Sequence, residues 1–218
     1  MSDAATVVLA RHGETVWHAE NRYAGHSDID LTERGLQQAD VLGQWAARTR
    51  PDAVYSSQLV RAVRTAEPAA SALGQRVTVD PRLREVDFGA GDGLTQAEMA
   101  QRMPESLASF LAHPARTPLP NGEAGVDAVA RALPALDRIA ADHANGTALV
   151  VMHSTLMRLI LCELLGIDPD RYRSAFPRVI NCALTTLRLP ASSNDRRGRN
   201  TVALLGFNVP PYLPDVFS

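Results

Sequence analysis

The chain has 218 residues, 45% hydrophobic and 21% charged, with a formal net charge of -2. That length and apolar fraction suit one large α/β domain, and the near-neutral balance excludes a global basic field for nucleic acid or anionic lipid. All 22 basic residues are arginine, which excludes Schiff-base chemistry, a lysine general base and a Walker-type phosphate loop; any phosphate site must use arginine, histidine or backbone N–H.

In chain order, Thr6 to Ala10 is an apolar, β-branched run without alternation, the pattern of a strand buried on both faces. It is too short for a membrane span or a signal-peptide core, so a soluble cytoplasmic protein is expected. Arg11 and His12 follow at once, and a loop runs from Gly13 to Leu31. Leu36, Ala39, Leu42, Trp45 and Ala46 then mark a helix over about 33–48, which Pro51 ends. Ala53 to Ser56 reads as a short strand. Leu59, Ala62, Val63, Ala66, Ala70 and Leu73 define a second amphipathic helix containing Pro68, and Gly74 is its stop.

A strand is expected over Arg76 to Val79. Thr95-Gln96-Ala97-Glu98 is a capping-box pattern that starts a helix, Pro104 opens a new segment, and Pro114 to Gly122 is a loop. Val126, Val129, Ala130, Leu133 and Ile139 place a helix across Pro134 that ends near Asn145-Gly146. Ala148 to Met152 repeats the grammar of the first strand: a buried apolar run leads into His153 and then a helix carrying Leu156, Leu159 and Ile160. Two strands, over about 183–189 and 201–205, flank a polar loop from Ser192 to Asn200 as a hairpin. Cys162 and Cys182 are too few for a disulfide framework or a four-thiolate metal site and are expected as buried thiols.

Alternating strands and helices imply a three-layer α/β sandwich, a mostly parallel central sheet with helices on both faces. The expected organisation is one domain over 1–218 with a lid-like insertion around 95–122. Ligands of such sheets bind outside the carboxyl ends of the strands, where both His12 and His153 fall.

Arg11-His12-Gly13-Glu14-Thr15, followed by Asn21-Arg22 and Gly25, resembles the signature of the histidine phosphatase superfamily, also called phosphoglycerate mutase-like. The context matches in order: Asp28 to Gly35, Ser56 to Ala62, Leu83 to Gly89, and a strand ending in His153. The resemblance covers residues 6 to 189. It implies that His12 is the nucleophile and becomes a phosphohistidine, and that Arg11, Arg61 and a protonated His153 bind the phosphoryl oxygens. It further implies that Glu85 is the general acid, with Asn21, Arg22 and Ser154 as further phosphate or substrate contacts. The chemistry is consistent with those residue types. Imidazole offers one unprotonated nitrogen, guanidinium offers paired donors at every relevant pH, and phosphoryl transfer requires stabilised charge on the equatorial oxygens. Glu14 reads as structural; Thr15 and Asn181 read as secondary contacts.

No metal or cofactor is expected, because His18, His26, His113 and His143 match no zinc spacing and each reads as a surface or loop residue. The expected partner is a small phosphorylated substrate, with no nucleic acid and no membrane; homo-oligomerisation is left open. The chain departs from the family pattern at His18, where asparagine is common, and at Ser154, where glycine commonly follows the second histidine. The reading is a phosphatase of a small phosphorylated metabolite. Its alternatives are a cofactor-dependent phosphoglycerate mutase and, from another class, a noncatalytic phospho-ligand binding module. Mutases carry extra cations between the acid and the second histidine, whereas 110–122 here holds only Arg116, with Arg22, Arg84 and Arg102 as replacements elsewhere.

Overall fold

The structure is a computed structural model and describes residues 3–192 and 202–212. Six strands form one sheet: β1 (Ala4–Arg11), β2 (Ala53–Ser56), β3 (Thr78–Val79), β4 (Thr147–Met152), β5 (Leu184–Pro190) and β6 (Ala203–Val209), in the order β3-β2-β4-β1-β5-β6. The first four in that order run parallel, while β5 pairs antiparallel with β1 and β6 antiparallel with β5. The fold is therefore the expected three-layer α/β sandwich. The β5–β6 pair is the expected hairpin, but most of its connecting loop lies outside the described residues, as does Thr201. β6 runs on to Val209, beyond the expected end at 205, and β3 keeps only two of the four residues expected for it.

Successive side chains of a strand point to opposite faces, and β1 uses both. Val7 and Leu9 join one core cluster with Leu136 and Ile160, while Val8 and Ala10 join another with Leu42, Trp45 and Ala66. The second face is covered by α1 (Glu33–Thr49) and α2 (Val60–Ala72), the first by α5 (Gly125–Asp142) and α6 (Ser154–Leu165). α3 (Gln96–Arg102) begins with the expected capping box, Thr95 and Glu98 exchanging side-chain and backbone bonds. It leads into α4 (Pro104–Ala112), and Met99, Leu107 and Phe110 are buried in the α5–α6 core. A short helix, α7 (Tyr172–Ala175), has no counterpart in the sequence reading. No helix among the described residues is long and apolar enough to cross a membrane. Cys162 and Cys182 are buried and unpaired, as expected, and burial pushes their thiols up to about 11 and about 12.

β1 and β4 are parallel neighbours in a register that pairs Arg11 with Met152, so the next residue of each strand is a histidine at the same edge. The backbone N–H of His12 donates to the Met152 carbonyl at 3.0 Å, and the His12 and His153 ring centroids lie 5.2 Å apart. The loop after His12 then presses on the first turn of α1. A Cβ on Gly13 would sit 2.6 Å from the Gly35 carbonyl oxygen, and one on Gly35 would overlap the Glu14 carbonyl oxygen. The loop's position thus depends on two missing side chains. Gly35→Ala should lower the unfolding free energy by about 1–3 kcal/mol through overpacking, read by urea denaturation. A denaturation midpoint equal to wild type would show that the loop moves aside at no cost.

Candidate active site

The two strand ends open into a cavity of about 530 Å³ whose lining includes Arg11, His12, Glu85, Ser154, Thr155 and Asn181. His12 is 5% exposed, and its Nδ1 lies 2.8 Å from the Gly13 carbonyl oxygen. A carbonyl only accepts, so Nδ1 carries the proton and Nε2 keeps its lone pair. Burial first, then Arg61 and Arg11, hold the imidazole well below its usual value of 6.5, against the opposing pull of the Gly13 carbonyl. The ring is therefore neutral and nucleophilic. Asn181 Nδ2 fastens the same turn by donating to the His12 carbonyl at 2.7 Å.

Arg61 is fully buried at the start of α2. Its Nη1 donates to the Ser27 carbonyl at 2.8 Å and its Nη2 to those of Gly25 and Ala24 at 2.8 and 3.3 Å. Asp92 holds that loop by accepting from the backbone N–H of Gly25 and of Ser27, each at 2.9 Å. Arg11 donates to the Val179 carbonyl and to His18 Nε2, both at 2.7 Å, and burial lowers its pKa to about 10. The Nε of Arg11, the Nε of Arg61 and the Nδ1 of His153 are buried without a hydrogen-bond partner among the described residues.

His153 is fully buried as the residue before α6, and its Nε2 shares a 2.7 Å hydrogen bond with Ser57 Oγ. Burial and the charges of Arg61 and Arg11 push its pKa well below 6.5. The expectation of a protonated His153 is corrected: with these neighbours alone the ring is neutral. Glu85, 4% exposed, does not pair with Arg82 or Arg84; it caps α6 across space. Its Oε1 accepts from the N–H groups of Leu156 (2.8 Å) and Val86 (2.9 Å), and its Oε2 from that of Thr155 (2.9 Å). Oε2, with a single backbone bond, keeps acceptor capacity, and Glu85 lines the cavity.

Other expected contacts fall differently. Arg22 reaches the cavity wall, but its guanidinium is held by Glu20, Glu98 and the Gly93 carbonyl, so it ties the loop to α3 rather than offering free donors. Asn21 is an exposed rim residue in the left-handed conformation, φ 55. Ser154 begins α6 and lines the cavity. His18, expected as a loop or surface residue, is half-buried in the site. Its Nδ1 lies 2.9 Å from Thr15 Oγ1 and its Nε2 faces Arg11; burial and Arg11 lower it to about 4. Glu14 is structural as expected, accepting from the Thr32 hydroxyl at 3.0 Å. Of the stretch 95–122, Gln96 lines the cavity and Arg116 does not; Arg116 pairs with Asp168 and Asp170. Sequence reasoning missed Arg158, Arg173 and Arg178, which line the same cavity. Arg158 alone left a signal, lying one helical turn after Ser154.

The model of the histidine phosphatase superfamily, branch 1, matches residues 7–201. The chain belongs to the histidine phosphatase superfamily. Phosphoserine phosphatase 1 of Hydrogenobacter thermophilus is 34% identical over 168 residues, which is 77% of this chain and 80% of that one. A probable phosphoglycerate mutase of Erwinia tasmaniensis is 32% identical over 179 residues, 82% of each chain. Among solved structures, a mycobacterial glucosyl-3-phosphoglycerate phosphatase superposes with TM-score 0.80 at 26% identity, covering 94% of this chain and 99% of that one.

The buried histidines make stability depend on pH. Unfolded, His12 and His153 titrate near 6.5; folded, both titrate well below it. Between those values the unfolded chain binds more protons. Their contribution is therefore complete above 6.5 and is lost as pH falls below it, by up to about 1.4 kcal/mol per pH unit for each ring. Urea unfolding at about pH 7.5 and about pH 5.5 should show that loss, and His12→Gln should make it smaller. An equal loss in the variant would mean that His12 does not titrate in this window.

Proposed function

We propose that the chain is a phosphatase that hydrolyses small phosphorylated metabolites through a phosphohistidine on His12. The observation that carries this reading is the pairing of a neutral His12, its proton fixed on Nδ1, with buried nitrogens of Arg11, Arg61 and His153 that have no hydrogen-bond partner among the described residues. In the first step the His12 Nε2 lone pair forms a bond to phosphorus, the bond to the leaving oxygen breaks, and Glu85 supplies the proton for the departing alcohol. In the second, water attacks phosphorus, its proton passes to Glu85, and the N–P bond breaks to free His12. Arg11, Arg61 and the Nδ1–H of His153 stabilise the transferring oxygens, with Ser154 beside them; the approaching dianion offsets the mutual repulsion of these groups. Asn21 serves the rim, and Arg22 keeps the loop in place. The lid-like stretch 95–122 borders the cavity through Gln96, while its Met99, Leu107 and Phe110 pack into the core. Two unpaired cysteines support a reducing cytoplasmic compartment.

His12→Ala should abolish turnover while leaving the fold intact, and rapid-quench labelling should find acid-labile, base-stable phosphate on wild type only. Chelator should leave the wild-type rate unchanged, since among the described residues no three of His, Cys, Asp and Glu group as a metal site. Wild-type turnover by His12→Ala would refute the assignment.

Glu85→Gln separates acid catalysis from helix capping. Loss of the acid should slow esters of poor leaving groups by about 10²- to 10⁴-fold and activated aryl phosphates far less. Equal losses on both would assign Glu85 to structure. The mutase relative supports a second reading, in which the phosphoryl group returns to a retained acid. Phosphate release from monoesters with negligible isomerisation of 3-phosphoglycerate, primed with 2,3-bisphosphoglycerate, is the expected outcome.

A further inference from the structure

The cavity is lined by six arginines, Arg11, Arg22, Arg34, Arg158, Arg173 and Arg178, against two glutamates, although the chain as a whole carries -2. Two of the six are paired with carboxylates, Arg22 with Glu20 and Glu98, and Arg34 with Glu14. Arg11 belongs to the phosphoryl site. The other three lining arginines, Arg158, Arg173 and Arg178, make no ion pair among the described residues, in contrast to Arg82, Arg116 and Arg131 elsewhere on the fold.

Arg158 and Arg173 are nonetheless held firmly. Arg158 Nε donates to the Ser154 carbonyl at 3.1 Å, and its guanidinium lies 4.8 Å from the ring centre of Tyr172, itself 1% exposed. Arg173 Nε donates to the Tyr172 hydroxyl at 2.9 Å, and Nη2 to the Tyr23 hydroxyl at 3.4 Å; its guanidinium lies 4.9 Å from the Phe110 ring and 5.3 Å from that of Tyr172. Two like charges thus share one aromatic ring. Both are half-buried, and among the described residues no carboxylate forms an ion pair with either. Ring faces and hydroxyls fix the guanidinium planes without neutralising them, and each side chain retains Nη donors directed by that frame. Packing alone would place apolar side chains on Tyr172. Paired cations in a cavity wall instead match a planar or tetrahedral oxyanion.

We infer that Arg158 and Arg173 form a second oxyanion subsite, so that the preferred substrate carries a carboxylate or a second phosphate on the alcohol that departs from His12, with Arg178 at the exposed mouth. This rests on the phosphatase reading and narrows its substrate class. It also revises the sequence argument that the chain lacks cations to hold an acid: they come from α6 and α7, not from 110–122.

The test compares kcat/KM on three esters of similar size: 3-phosphoglycerate with its carboxylate, propane-1,3-diyl bisphosphate with a second phosphate, and glycerol 3-phosphate with neither. Wild type should prefer at least one of the first two over the third by ~10-fold or more, and whichever it prefers identifies the oxyanion. Arg158→Met and Arg173→Met keep an apolar stem on Tyr172. Each should lose about 10- to 100-fold on the preferred ester, the span expected for charged hydrogen bonds, mainly through KM. On glycerol 3-phosphate each should stay within about threefold, which also reports intact folding and an intact phosphoryl site. Equal losses on all three esters, or no wild-type preference, would overturn the subsite while leaving the phosphatase reading in place. Failure of wild type to release phosphate from any ester would overturn the phosphatase reading, and the subsite with it.

Discussion

The arginines of this protein divide by the kind of acceptor that holds them. Arg22, Arg82, Arg116 and Arg131 lie against carboxylates, which fix their position and cancel their charge. Arg11 and Arg61 are oriented by neutral acceptors, a carbonyl and an imidazole for one and three loop carbonyls for the other. A neutral acceptor directs a guanidinium without quenching it, so the positive charge remains available to a phosphoryl group. The cost is a buried cluster of like charge. Glu85 and Asp92 offset it from a short distance for Arg61, Glu85 with its own oxygens already bound to backbone N–H groups and Asp92 through the loop it ties.

Much of the family pattern follows from that arrangement. The loop from Ala24 to Ser27 has to present three carbonyls to Arg61, which explains why Asp92 grips Gly25 and Ser27. Asp28 accepts from the N–H of Val60 at 2.7 Å, fixing the first turn of the helix that carries Arg61. Ser57, one residue past β2, reaches His153. The motifs quoted from the sequence are thus contact partners in one shell, although they are scattered along the chain.

What the sequence revealed and what it hid follow the same physics. β1 and β4 were legible because strands buried on both faces must be apolar throughout, and parallel pairing then sends both histidines out of the same edge. α1, α2 and α5 were legible because long amphipathic helices repeat their pattern over several turns. The four residues of α7 carry no such repeat; Tyr172 anchors them by burial, an effect of tertiary packing rather than local propensity. Burial and two guanidiniums, invisible in one dimension, hold the His153 pKa low in the protein alone, where among the described residues no anion faces it. Arg173 and Arg178 were missed because only folding brings them to the cavity.

His18 applies the same principle at the point where the chain leaves the family pattern. Arg11 can only donate, so His18 Nε2 stands as its acceptor at 2.7 Å, while Nδ1 lies 3.0 Å from a second donor, the Thr15 backbone N–H, and 2.9 Å from Thr15 Oγ1. Protonation would turn the acceptor into a second cation against Arg11. Burial and Arg11 itself resist that by holding the ring at about 4, so through the neutral range the imidazole orients Arg11 while leaving its charge intact. A carboxylate at this position would bind Arg11 more strongly and weaken its hold on phosphate, whereas an amide would preserve the neutrality. An asparagine in place of His18 would serve for the same physical reason, since it too presents an uncharged acceptor to an arginine whose charge is needed elsewhere.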